Sequence, residues 1–312
     1  MDPIQPNHIR YIKLGRGGRW ADVSLDRGEV HFGYREVPHE PAVARDWNAV
    51  RRVLAKKAKS AGKLTDRMRE IRSFYELGSD CLWVTFARGH LWWAFAEDVV
   101  HWRGEDEAEG GRVRRTLGGW RNTDIQGNPL REGGLSSRLT RVSAYRGTLC
   151  EIADPDYLLR RINAVEEPLV VEANQLQQQQ IALAGRMIAG LHWSDFETLI
   201  DILFARHGWH RITELGGTQK DVDLVLENPT TGDRAFVQIK SKAGLSQLND
   251  YLTRFQQAQQ YTRLFFVCHS PSGELANVRN PAPERTHIWV ANELASRVVR
   301  AGLFDWVTEK LR

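Results

Sequence analysis

The 312-residue sequence has few of the features that identify a function class at sight. No apolar run approaches the roughly 20 residues needed to cross a bilayer, so no membrane partner is expected. The start, MDPIQPNHIRYIKL, is charged and broken by proline; it does not read as a signal peptide, and a cytoplasmic location is expected. Only three cysteines occur, Cys81, Cys150 and Cys268, widely spaced and without a CxxC pair. That argues against a disulfide framework and against a cysteine-based zinc site. Neither GxSxG nor HExxH occurs, and His192, His207 and His210 fall at no convincing metal spacing. The stretch KLGRGGRW, Lys13 to Trp20, is glycine-rich but lacks GxxxxGK[ST]. A nucleotide P-loop is thereby excluded, and no small-molecule substrate is expected.

What is present is a chain long enough for two cores, with 42% hydrophobic and 26% charged residues. Its charge is unevenly spread. Residues 1–165 hold 28 Lys and Arg against 22 Asp and Glu, whereas the remainder holds 15 against 17. The N-terminal part is therefore the half expected to face a polyanion. Boundaries are expected at 1–150 for a β-rich α+β domain, 151–190 for a helical linker and 191–312 for an α/β domain.

In the first part, HIRYIKLG, WADVSL and EVHFGY read as short strands between glycine-rich or charged turns. A basic helical region follows over Arg45–Arg72, with Asp46 as N-cap and ten Lys and Arg against three Asp and Glu. Within it Arg51, Arg52, Lys56, Lys57, Lys59 and Lys63 are candidates for contact with a phosphate backbone. DCLWVTFARGHLWWAFA reads as a hairpin turning at Arg88-Gly89-His90. Six of the eleven tryptophans lie between residues 47 and 120. Most are expected in the core; Trp92 and Trp93, adjacent and so pointing to opposite faces of a strand, supply one candidate for stacking on an extruded base.

After the linker, SDFETLIDILFARHG is an amphipathic helix whose Phe196, Leu199, Ile200, Leu203 and Phe204 form one stripe. Ser194 and Glu197 are placed to form a capping box. Strands are expected at HRITELG, DVDLVLEN and RAFVQIKS, then a helix over 245–260, a buried strand RLFFVCHS and a further strand HIWVA before two closing helices. The core order is α-β-β-β-α-β.

The chemistry concentrates in DVDLVLENPTTGDRAFVQIKSK. Asp221 and Asp223 share one strand face, and Gln238, Lys240 and Lys242 share one face of the next. Paired across the NPTTGD turn, Asp223, Gln238 and Lys240 converge, and a carboxylate with an amide carbonyl is a hard-oxygen set suited to Mg²⁺. A neighbouring lysine can orient water or neutralise charge on phosphorus. Cross-strand polar pairs also occur on any solvated sheet face, worth roughly 0.2–1 kcal/mol each, so spacing alone leaves both readings open.

The helix FETLIDILFARHGW, the turn GGTQKDVDL and the strand FVQIKS, in that order, resemble the Mrr-like restriction endonucleases of the PD-(D/E)xK nuclease superfamily. The resemblance spans about residues 193–303 and implies a restriction-endonuclease-like α/β fold and Mg²⁺-dependent DNA cleavage, with Mn²⁺ able to substitute. It gives Asp223 the metal-binding aspartate role, Gln238 the place of the usual second acid and Lys240 that of the catalytic lysine. Glu197 matches a helical acid that completes the metal site; apart from the resemblance, Lys242 is a candidate to face phosphate or a solvated side chain. Many relatives carry glycine where this chain has Asp221, which makes Asp221 a further ligand or a competitor of Asp223. Double-stranded DNA is the implied partner, a homodimer is expected for double-strand cuts, and a restriction or defence role follows, with the N-terminal domain reading a modified base. Two alternatives stay open: a non-catalytic nucleic-acid-binding protein on a nuclease-like fold, and a structure-specific junction nuclease.

Overall fold

A computed structural model describes residues 2–104, 108, 110–212, 223–278 and 284–312. The chain divides into two compact units, Met1–Glu167 and Pro168–Arg312. The segment expected as a linker is shared between them. Ile152, Leu158 and Ile162 are buried in the first unit, whereas Ile181, Ala184 and Ile188 are buried in the second.

In chain order the first unit comprises β1 (His8–Ile12), α1 (Ala21–Arg27), β2 (Glu29–Phe32), α2 (His39–Val43), α3 (Trp47–Ala55) and α4 (Ala61–Glu76). It continues with β3 (Cys81–Ala87), β4 (His90–Phe95), β5 (His101–Trp102), β6 (Arg112–Arg115), α5 (Ser137–Thr140), β7 (Leu149–Glu151) and α6 (Pro155–Ile162). Its larger sheet has the order β4-β3-β1-β7 and is buried on both faces. Cys81 and Trp83 join one cluster with Ile71 and Phe74 of α4, while Leu82 and Val84 join another with Leu158 and Ile162 of α6. The smaller sheet is β2-β6-β5. The β3–β4 hairpin turns where expected, with Arg88 and Gly89 both at positive φ (51° and 70°), the backbone a two-residue hairpin loop demands.

Two local expectations need correction. WADVSL is helical: α1 buries Ser24 and Leu25 and ends at Gly28 in the left-handed conformation, a glycine stop that outweighs the β-leaning composition. The basic region is two helices, with Lys56–Lys59 between them and Ser60 capping α4 through Lys63 N–H. Asp46 does cap the first, accepting from Ala49 N–H at 3.0 Å.

The second unit comprises α7 (Pro168–Ala189), α8 (Trp193–Arg206), β8 (His210–Arg211), β9 (Leu224–Glu227), β10 (Arg234–Ala243), α9 (Leu245–Gln257), β11 (Arg263–Pro271), β12 (Thr286–Val290), α10 (Ala291–Arg300) and α11 (Phe304–Lys310). Its sheet has the order β12-β11-β10-β9-β8, parallel from β10 to β12 and antiparallel at β9 and β8. Alternation along β10 sends Ala235, Val237 and Ile239 to the core shared with α7, α8 and α10. Phe236, on the opposite face, packs on Phe255 of α9. Among the described residues no helix is long and apolar enough to cross a membrane.

Candidate active site

The site is built where β9 meets β10. Their antiparallel register pairs Leu224 with Val237, which brings Asp223, the residue before β9, beside Gln238. Gln238 Nε2 donates to Asp223 Oδ2, and the same oxygen accepts from Ile239 N–H at 2.6 Å. Because a carboxylate can only accept, the amide must turn its nitrogen toward Asp223, and its carbonyl oxygen faces away. That oxygen, Oε1, is buried and finds no hydrogen-bond partner among the described residues. Gln238 as a whole is 1% exposed. Leaving such a group unpartnered costs about 1–3 kcal/mol, so the position is held against a stability gradient.

Two residues further along the same face, Lys240 is half-buried, with Nζ 5.7 Å from the ring centroid of Tyr251 on α9. Glu197 lies on the first turns of α8, whose helix begins at Trp193 and is capped by His192 rather than Ser194. The capping box expected from Ser194 and Glu197 does not form, because Ser194 already sits inside the first turn, and Glu197 is released for another role. Partial burial and then the neighbouring Asp223 charge push the Glu197 carboxyl up, while Arg211 and Lys240 oppose the shift. Glu197, Asp223, Arg211 and Lys240 therefore share one electrostatic neighbourhood.

Lys242 is exposed one further step along β10 and lies near enough to His269 of β11 to push that imidazole down, second to burial. His269 meets Phe196 edge-on, the residue beside Glu197, with ring centroids 4.6 Å apart. No sequence signal singled out His269, which reads as one more residue of a strand. Asp221 lies outside the described residues. Among the described residues no three His, Cys, Asp or Glu side chains gather into one group. The oxygens available to a cation are thus the Asp223 carboxylate and, across the neighbourhood, Glu197; the Gln238 carbonyl, buried and turned from Asp223, joins them only when its amide turns over. This hard-oxygen set fits a cation of the Mg²⁺ class that keeps several waters.

In the first unit, Arg51, Arg52, Lys56, Lys57, Lys59 and Lys63 are all exposed on α3, α4 and the turn between them. Trp92 is half-buried and Trp93 buried. Trp93 is 3% exposed within the core, and its indole N–H donates to Thr123 O at 2.8 Å. Trp92 donates to Ala87 O at 3.0 Å. Burial leaves the Trp93 ring no free face for a base, whereas Trp92 remains half-buried.

Residues 188–296 match the Mrr_cat family, described as a restriction endonuclease. Among solved structures, the DNA modification-dependent restriction endonuclease AspBHI aligns at 11% identity and a TM-score of 0.27, over 74% of this chain and 68% of that one. The MspJI restriction endonuclease in complex with a 27-mer oligonucleotide aligns at 14% identity and a TM-score of 0.25, over 81% of this chain and 70% of that one. TM-scores this low fall short of a shared overall fold. No curated protein matches the chain.

Proposed function

We propose that this chain, whose residues 188–296 form a restriction endonuclease domain of the Mrr type, is a cation-dependent DNA endonuclease whose first unit selects the DNA. The observation that carries the reading is the Asp223–Gln238 pair, its carbonyl unpartnered among the described residues, two residues from Lys240 on one strand face. Asp223 and Glu197 would hold the cation, Mg²⁺ with Mn²⁺ as substitute, joined by the Gln238 carbonyl oxygen once its amide turns over. A bound divalent cation supplies charge neutralisation at the scissile phosphate. Lys240 holds the attacking water by hydrogen bonding and offsets negative charge gathering on the phosphoryl oxygens. Water oxygen bonds to phosphorus as the bond to the 3′-oxygen breaks, leaving a 5′-phosphate and a 3′-hydroxyl. The attacking water gives up its proton to solvent, and the departing 3′-oxygen takes one from solvent. Tyr251 keeps the Lys240 ammonium in place by a cation–π contact.

Exposed Arg51, Arg52, Lys56, Lys57 and Lys59 would follow the phosphate backbone, and Lys242 would face the cleaved strand. One site per chain makes a pair of chains the requirement for cutting both strands. A second reading, a nuclease fold kept only as a binding platform, is favoured by one feature: Asp223 already accepts two internal hydrogen bonds at Oδ2. Calorimetric titration with Mg²⁺ and Mn²⁺ separates the two. Binding that Asp223→Asn weakens at least tenfold is expected; a parent chain that binds neither ion, with or without DNA, belongs to the platform reading.

A further inference from the structure

Helix α7 of the second unit is packed at one end only. Ile181, Ala184 and Ile188 enter the core beside α8 and α10, whereas every residue from 168 to 180 is exposed. The exposed half is not polar in the way a solvated helix is. Leu169 is 72% exposed, Leu176 58% and Leu183 39%, with Val170 and Val171 also exposed. Charge is nearly absent: over the 22 residues of α7, Glu172 and Arg186 are the only ionisable side chains. Unpacked helical stretches shorter than about 12–15 residues are marginal in water, so this half gains from a partner.

Leu169, Leu176 and Leu183 recur every seventh residue, the repeat of one seam position in a coiled coil. Ala173, Gln180 and Met187, four residues after each leucine, then fill the other seam position. At about 100° per residue this stripe lies about a quarter-turn round the helix from Ile181, Ala184 and Ile188. It is therefore a second face, which meets the core only through the partly buried Met187. Glu172 and Arg186 stand on one flank of it, immediately before Ala173 and Met187. A second copy laid antiparallel, with the two-fold axis beside Gln178, sets Leu169 against Met187 of the partner subunit. Ala173 then meets the partner's Leu183, and Leu176 meets the partner's Gln180. The same register brings Glu172 beside the partner's Arg186, and symmetry repeats the pair. A parallel pairing sets Glu172 against the partner's Gln177 and gives it no counter-charge.

We propose that α7 is the surface through which two copies of this chain pair, antiparallel, along the Leu169–Leu176–Leu183 stripe. A second copy fits better than an unrelated partner because one helix supplies both halves of the charge match and both halves of the large-against-small packing. Such an interface is isologous, and a two-fold axis closes it at two chains. Helix α7 and the β9–β10 site belong to the same unit, so the pair carries two such sites. The pairing itself needs neither DNA nor cation and does not rest on the cleavage reading.

Sedimentation velocity of the full chain in EDTA, without DNA, reads the pairing directly. A single helix pair is a small interface, so half-association is expected at about 10 μM, with a particle of twice the 35.7 kDa chain mass. Leu176→Lys, at an exposed position, should weaken association about tenfold while the chain stays folded by circular dichroism. Glu172→Arg and Arg186→Glu should each weaken it about fivefold, since each sets like charges together twice. The double variant exchanges the charges and should return to within about twofold of the parent. Lys240→Ala should pair as the parent does, so a failed nuclease assignment leaves this result standing. A parent that stays at the single-chain mass up to about 100 μM would overturn the proposal. So would a pair indifferent to Leu176→Lys, or a double charge variant no better than the single ones.

Discussion

Gln238 donates to Asp223 and keeps its carbonyl oxygen buried without a partner among the described residues, so a change of charge there has a readable consequence. Gln238→Glu sets a second carboxylate against Asp223, and like charges at this range disfavour double ionisation. The variant should lose about 1–3 kcal/mol of stability at pH 7 without divalent ions and regain more than the parent when Mg²⁺ is added. Chemical denaturation with and without Mg²⁺ measures both; equal gains for the two chains would mean that no cation binds at this amide. Glu197 gives a pH signature. Its folded carboxyl holds a proton above the ordinary value of 4.5, so the folded state binds more protons than the unfolded one in that window. Stability from this group is present below 4.5 and falls as pH rises through the raised value. Glu197→Gln should therefore melt higher than the parent at pH 7 and lose that advantage at pH 4. At this scale the sequence was partly legible: strand alternation places Gln238 and Lys240 on one face. The Glu70 cluster, in which Tyr34 and Tyr145 donate to the Glu70 carboxylate, was not, because the tyrosines stand 36 and 75 positions from Glu70 and no local pattern links them.

Elements with strong periodicity or clear punctuation were read correctly. Helix α8 follows its apolar stripe, and the β3–β4 hairpin follows its apolar alternation. Helix α6 begins at Pro155, with Asp154 accepting from Tyr157 N–H. Helix α1 was misread because seven residues give too few turns for a stripe to show, and only Gly28 marked its end. The Ser194 cap was misread because the helix gains two residues at its start, Trp193 and Ser194, where two cap geometries compete. Glycines separate backbone strain from steric collision. Gly89 has φ 70° and open space where a Cβ would stand, so Gly89→Ala should cost only about 1–2 kcal/mol, the left-handed penalty. Gly147→Ala meets Glu70 and the Tyr145 ring and should cost clearly more, with Tyr145 displaced. Urea unfolding of both variants checks the order; a smaller loss at Gly147 would mean that the Glu70 cluster is loosely held.

Across the whole molecule, the charge surplus of residues 1–165 takes a surface form, with six Lys and Arg of the α3–α4 region all exposed. Each phosphate neutralised adds about 0.9 to the slope of log affinity against log salt. A Lys56, Lys57 and Lys59 triple change to Gln should lower that slope by about 2–3 and weaken binding to all DNA sequences alike. A slope equal to the parent's would remove this surface from the interface. The division into two units was harder to read, since residues 151–190 are helical throughout much of their length and their allegiance is set by packing partners distant in sequence. The central claim is that the β9–β10 site cuts DNA, and one assay addresses it directly: cleavage of unmodified, methylated and hydroxymethylated duplex DNA, with and without Mg²⁺, by the parent and by Lys240→Ala. The parent should cut at least one of these substrates only when Mg²⁺ is present, and Lys240→Ala should lose at least a thousandfold in rate while binding DNA within threefold of the parent. A Lys240→Ala chain that cuts as fast as the parent would contradict the account.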